Sequence, residues 1–224
     1  MKLYMHPASS TSRPISLFAA ENGIDLEEQV VDLISGEHRQ PQYLAVNANG
    51  LVPVLEDGDF RLTESAAILR YLADKVDSPA YPKDLRERAR VNEALDWFNA
   101  NLYRDLGYNY VYPQLFPHHH RRSNEGTDAT VAWGQERTHH WLGLLDRHII
   151  GPHADYMCLD RLTIADFFGS GLVTLADVIR LDFSGYPNIS RWLDGMKNLP
   201  SWPGVNAGFY GMVEACKSHT FLAA

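Results

Sequence analysis

A chain of 224 residues, 45% apolar and 21% charged, has the material for one large core or two modest ones, and nothing in its composition suggests disorder or a fibre. Its formal charge of −8 opposes phosphate backbones and anionic lipid, so neither nucleic acid nor a membrane surface is an expected partner and small molecules are. Cys158 and Cys216 stand far apart and outside any C-x-x-C, which removes both a disulfide framework and a dithiol redox motif.

Short β-type runs alternate with helical patterns through the first third. Residues 2–5 read as a strand and residues 11–22 as a helix with apolar spacing, closed by Gly23. Residues 28–33 form a second strand, and a strand, helix and strand joined this closely predict a parallel pair with a crossover. A weakly helical stretch follows over residues 37–46. Residues 52–55 and 60–62 then flank Glu56-Asp57-Gly58-Asp59, whose Asp-Gly predicts an antiparallel hairpin. With a helix from Ser65, this part reads β-α-β-α-β-β-α, a small α/β layer unit.

Two prolines in residues 77–83 suit a linker, which divides the chain into units at 1–78 and 84–224. Beyond it, helical spacing runs over residues 85–112, 127–150, 163–180, 189–199 and 205–217, so the second unit is all-α. Residues 113–126, with His118-His119-His120-Arg121-Arg122, read as a surface loop. These histidines lack the spacing and the Cys or carboxylate partners of a metal site, and His139-His140 point apart on a helix, so no metal is expected. Thr163-x-x-Asp166 reads as a capping box that opens a core helix. The apolar stretch 164–181 carries Asp166, Asp177 and Arg180, which marks a core helix and not a membrane span. With no apolar run after Lys2, no secretory signal is expected and the expected location is cytoplasmic.

Three segments together carry a resemblance: residues 47–55 (NANGLVPVL), Glu56-Asp57-Gly58, and residues 62–72 (LTESAAILRYL). They resemble the glutathione-transferase superfamily, and residues 31–38 and 57–65 resemble its theta class. The resemblance is strong over residues 1–75 and looser beyond, where residues 162–167 (LTIADF) are similar to the start of the family's central core helix. It implies a thioredoxin-like α/β domain followed by an all-α helical domain, glutathione as co-substrate, and a homodimer.

For the site, the resemblance implies that Val52, before a cis Pro53, pairs with the cysteinyl part of glutathione in the manner of an added strand. Pro53 cannot donate to a ladder and belongs at a strand's first residue or an edge. Glu64 and Ser65 precede a helix whose free amides attract an anion, so Ser65 is expected to hold the γ-glutamyl carboxylate, also serving as an N-cap, and Glu64 the ligand's amino group. His38 is expected to meet the glycyl carboxylate, or else to be a surface histidine. The sequence departs from the family at Ala48, where a Pro is usual, and at Leu51, where a Lys is frequent, so one cationic contact is missing.

The thiolate is the nucleophile, and lowering a thiol pKa by about two units takes roughly 2.7 kcal/mol of anion stabilisation. Residues 6–13 (HPASSTSR) offer four hydroxyls and a guanidinium for this. Matched without gaps, the theta pattern places its catalytic serine on Ser9 and its arginine on Arg13; Thr11 replaces a proline, which keeps Ser10 as a second candidate. Tyr4 falls one residue from the position of the tyrosine-type enzymes and on the opposite strand face, so it reads as core. A loop without Cys argues against thiol-disulfide transfer. Tyr103, Tyr108, Tyr112 and Phe116 are the candidates for the electrophile pocket. The leading reading is conjugation to, or dehalogenation of, small hydrophobic electrophiles. A glutathione-dependent peroxidase or isomerase and a non-catalytic scaffold remain as alternatives.

Overall fold

The computed structural model describes residues 1–222. Its first part is a four-stranded sheet in which the strand Lys2–Met5 lies between Glu27–Val30 and Val54–Asp57, with Phe60–Leu62 beyond the latter. Strand β1 (Lys2–Met5) runs into α1 (Arg13–Glu21) and returns as β2 (Glu27–Val30), parallel to β1 with Leu3 opposite Glu28. This is the expected crossover pair. All four residues of β2 are exposed and its sequence is Glu-Glu-Gln-Val, a charged edge that discourages pairing with another chain. A 3₁₀ turn (Glu37–Arg39) and α2 (Pro41–Leu44) lead to the antiparallel hairpin of β3 (Val54–Asp57) and β4 (Phe60–Leu62), which turns at Gly58 with φ +64°. Helix α3 (Ser65–Lys75) completes this part.

Alternation on β1 divides its neighbours between two faces. Leu3 and Met5 are buried in the main core under α1 and α3, whereas Tyr4 packs edge-on against Tyr43 at 6.2 Å in a small second cluster with Val31 and Val54. The strand expected over residues 52–55 begins two residues later. Pro53 has no N–H to pair, and the Val52–Pro53 bond is cis as the sequence suggested.

The second part is helical: α4 (Leu85–Trp97), α5 (Tyr112–Leu115), α6 (Asn124–Leu144), α7 (Ile164–Val173), α8 (Pro187–Lys197) and α9 (Trp202–Ala215). Between α4 and α5 the chain stays helical in wide π-type turns (Phe98–Val111), and α6 ends in similar turns (Leu145–Ile150). The capping box forms: Asp166 accepts from Thr163 N at 2.8 Å, and also holds Met157 N at 2.7 Å and Trp192 Nε1 at 3.0 Å.

Two expectations need correction. The segment read as a linker is packed into the molecule, with Ser78, Ala80 and Tyr81 buried and Ala80 O accepting from Ile164 N at 3.0 Å. The loop read over residues 113–126 contains a 3₁₀ turn (Pro117–His119), and the next helix already starts at Asn124, where Ser123 caps it by accepting from Gly126 N at 3.1 Å.

Candidate functional site

The loop between β1 and α1 folds on itself: Ser9 N donates to His6 O at 2.9 Å and Ala8 N to His6 Nδ1 at 3.2 Å. Ser9 Oγ then accepts from Ser12 N at 3.2 Å and Thr11 N at 3.4 Å, orphan donors that precede a helix start. Thr11 Oγ1 donates to Val52 O at 3.4 Å, which ties this loop to the one before β3. Because the Thr11 proton is used there, the 3.1 Å contact between Ser9 Oγ and Thr11 Oγ1 has Ser9 as donor. The lone pairs of Ser9 are thus occupied by amides, and its proton rests on a neutral hydroxyl that an anion would outcompete.

The neighbouring residues point elsewhere. Ser10 is 2% exposed; its Oγ faces the Tyr112 phenol without forming a hydrogen bond of sound geometry. Arg13 is buried and directed away from the loop into the helical half, where it donates to Asn206 Oδ1, to Gly171 O at 3.0 Å and to Thr174 Oγ1 at 3.2 Å. Its guanidinium lies 3.7 Å from the centre of the Phe209 ring. Burial among neutral acceptors pushes its pKa down to about 10.

The loop before β3 is held by Leu51 O, which accepts from Tyr43 Oη and Asn47 Nδ2, both at 2.7 Å. Gly50, with φ +61°, is required here, since a Cβ would stand 3.1 Å from His38 O. That close approach sets the His38 turn against this loop. His38 is buried and its Nδ1 has no partner; burial, then Arg39 and His118, hold its pKa below the usual histidine range. Leu51 itself is half exposed and carries no charge.

At the start of α3, Ser65 is the first helical residue and not the flanking cap that the sequence suggested, because Glu64 occupies that position with φ +65°. No side chain caps this helix start, so its first amides have no side-chain partner. A non-glycine residue held in the left-handed region costs on the order of 1–3 kcal/mol and concentrates at ligand clamps.

The four aromatic candidates come together. Tyr103 and Tyr112 share a hydroxyl contact of 2.9 Å, Tyr108 lies 5.3 Å from Tyr103 and 5.4 Å from Tyr112, and Phe116 is 5.8 Å from Tyr112, as ring centroids. Burial pushes the Tyr112 phenol up to about 12, and both Ser10 and Arg13 act on it, which places the aromatic cluster beside the β1–α1 loop. Two open grooves lie away from this loop, one along Arg86, Arg90, Glu93 and Leu159 and one on the far sheet face at Tyr4 and Tyr43.

This assembly has known counterparts. The family model for the glutathione S-transferase N-terminal domain matches residues 1–74, and that for the C-terminal domain matches residues 109–200. The chain belongs to the glutathione S-transferase family. It is 31% identical to human glutathione S-transferase theta-2, covering 99% of this chain and 86% of that protein. The solved structure of human theta-2 in complex with glutathione superposes with a TM-score of 0.83 at 27% identity, covering 99% and 92% of the two chains. A delta-class transferase of Nilaparvata lugens gives 0.79 at 30% identity, covering 98% and 99%. The family assignment makes the chain a glutathione transferase with the transferase fold and glutathione as its co-substrate.

Two features of this transferase escaped the sequence. The Thr11–Val52 link joins residues 41 apart, and no spacing signals it. His119 sits half-buried among Tyr108, Tyr112 and Phe116; the helical spacing of 108, 112 and 116, with 119 three further on, was an available signal. Among the described residues no group of three or more His, Cys, Asp or Glu is placed to hold a metal ion, and no helix is long and apolar enough to cross a membrane.

Proposed function

We propose that this transferase is serine-type, with Ser9 as the donor that stabilises the glutathione thiolate. The carrying observation is the hydrogen-bond pattern of Ser9: two amides fix its oxygen, and its proton lies next to Thr11, which touches Val52 O. Val52 would pair with the cysteinyl backbone, Pro53 and Leu51 shaping that edge, while the open start of α3 at Ser65 takes the γ-glutamyl carboxylate and Glu64 the amino group. Ser10, turned toward Tyr112, is the weaker candidate. Arg13 would act through its buried charge and its anchoring of the start of α1 to the helical half, without touching sulfur.

In the reaction, the thiol proton passes to solvent. The sulfur lone pair forms a bond to an electrophilic carbon, and the bond to a halide or another leaving group breaks. Tyr103, Tyr108, Tyr112 and Phe116 provide an aromatic wall for small hydrophobic electrophiles. We further read the protein as a cytoplasmic homodimer that acts in detoxification. The ultraviolet absorbance of bound thiolate, titrated against pH, tests the serine assignment. Ser9→Ala should raise the apparent thiol pKa by about one to two units, since a hydrogen bond to a charged group contributes ~1.5–3 kcal/mol. An unchanged titration in Ser9→Ala with a raised one in Ser10→Ala would transfer the role to Ser10.

A further inference from the structure

Both flanks of Ser9 are held by one helix of the helical half. On the N-terminal flank, α9 runs so close to the β1–α1 loop that a Cβ at Gly208 would stand 2.6 Å from Pro7 Cβ, against an optimum of about 3.5–4 Å between carbons. Only a residue without a side chain fits there. On the C-terminal flank, Asn206 Oδ1 of the same helix accepts from Arg13 Nη1, and the Phe209 ring lies 3.7 Å from that guanidinium. Arg13 in turn reaches Ser9 through the backbone, its N donating to Ser9 O at 3.1 Å. Asn206 is itself fixed: it is 1% exposed, and its Nδ2 donates to Trp202 O at 3.0 Å.

Between these holds the loop has few ties to its surroundings. Its own backbone bonds, such as Ser9 N to His6 O at 2.9 Å, close its turns and move with it. Among the described residues, the buried Ser10 Oγ and Ser12 Oγ have no partner, so neither pins the loop. Thr11 Oγ1 reaches Val52 O at 3.4 Å, the long end of a hydrogen bond. On the inner side α7 forms a floor, where a Cβ at Gly171 would stand 2.9 Å from Ser10 O, and every residue of α7 is buried. Helix α9 is different, because it buries only the stripe of Trp202, Asn206 and Phe209 and leaves Gly208 exposed. A hydroxyl stabilises a thiolate only as well as its distance and angle allow, so the setting of α9 against Pro7 and Arg13 bears on the acidity of a thiol held at Ser9.

We propose, building on the assignment of Ser9 above, that α9 positions the thiol-activating loop, with Gly208 acting on Pro7 and Asn206 acting through Arg13 as positioning residues. Ultraviolet titration of bound thiolate tests this in a double-mutant cycle. Gly208→Ala should raise the apparent thiol pKa by about half a unit, a roughly threefold weaker acid, and Gly208→Val should raise it further. Asn206→Leu should shift it in the same direction. Gly211→Ala, on the same helix where a Cβ meets nothing within 4 Å, should leave it unchanged. Affinity for S-methylglutathione, which has no thiol to ionise, should be the same in wild type and both Gly208 variants, a result that general damage to the site would not give. In a Ser9→Ala background neither Gly208→Ala nor Gly208→Val should move the pKa further, since the hydroxyl they displace is gone. An unchanged pKa in Gly208→Val, or a rise of equal size with and without the Ser9 hydroxyl, would overturn the proposal and leave the serine assignment standing. A Ser9→Ala titration that matches wild type would instead overturn the serine assignment, and this proposal with it.

Discussion

At the scale of single residues, the site is a question of which protons are free and which charges are unmatched. Ser9 was readable as a candidate because a match without gaps placed it, whereas the hydrogen bonds on which its proposed role rests run through Thr11, whose bond to Val52 depends on the fold and has no trace in the sequence. Arg13 was legible as a position and not as an orientation: its guanidinium turns into the domain boundary, away from the hydroxyls it adjoins in sequence. His119 shows the same gap between position and environment, and it carries a pH prediction. Burial first, then His118, Arg121 and Arg39, lower its pKa from 6.5 to about 4. Between these values the unfolded chain binds the proton that the folded chain refuses, so stability should be full above pH 6.5 and fall as pH drops toward 4. His6, His38 and His118 are shifted in the same direction and add to the slope. Thermal midpoints across this window should decline less steeply in His119→Phe than in wild type. Equal slopes would show that this ring contributes nothing to acid sensitivity.

At the scale of elements, the hairpin and the crossover pair were readable because alternation and Asp-Gly chemistry are local, and the five helical stretches because apolar spacing extends over many turns. The wide turns of Phe98–Val111 were not, since a π-type turn depends on what the helix packs against. Here that neighbour is α6, and the approach is closest at Gly134, where a Cβ would stand 2.6 Å from Asn109 C and 2.7 Å from Asn109 O. Backbone atoms cannot move aside as a side chain would. Gly134→Ala should therefore destabilise by about 1–3 kcal/mol despite the better helix propensity of alanine, because overpacking outweighs it. Gly211, where a Cβ meets nothing within 4 Å, makes the control: Gly211→Ala should be neutral or slightly stabilising in denaturant titration. If Gly134→Ala behaved like Gly211→Ala, the close packing of α6 on the wide turns could not be what holds their shape. The same wide turns carry Tyr103 and Tyr108, so strain placed there should also reach the aromatic wall.

For the whole molecule, the two parts that the sequence separates near residue 80 share one hydrophobic core. Phe18 of α1 meets Phe167 of α7 edge-on at 5.3 Å, and Leu3, Ile15 and Leu69 belong to the same buried cluster as Phe98, Leu172 and Trp192. Arg13 adds a polar stitch across that boundary to α7, to α9 and to the turn at Thr174. A buried guanidinium that donates only to neutral oxygens, with its Nε unpaired, gains little net stability, yet its removal strands those acceptors, and stranding is the costly event. Arg13→Met should therefore cost on the order of 3 kcal/mol. The distribution of chromophores makes the cooperativity measurable: Trp97, Trp133, Trp141, Trp192 and Trp202 are all in the helical half, so fluorescence reports that half while ellipticity reports both. With one core, the two signals should share a denaturant midpoint in wild type, and in Arg13→Met both should move down together. A fluorescence midpoint that stayed in place while ellipticity shifted would mean that the sheet half can come away alone. In that case the boundary near residue 80 would be a true division in stability, and Arg13 would be the chief bond across it.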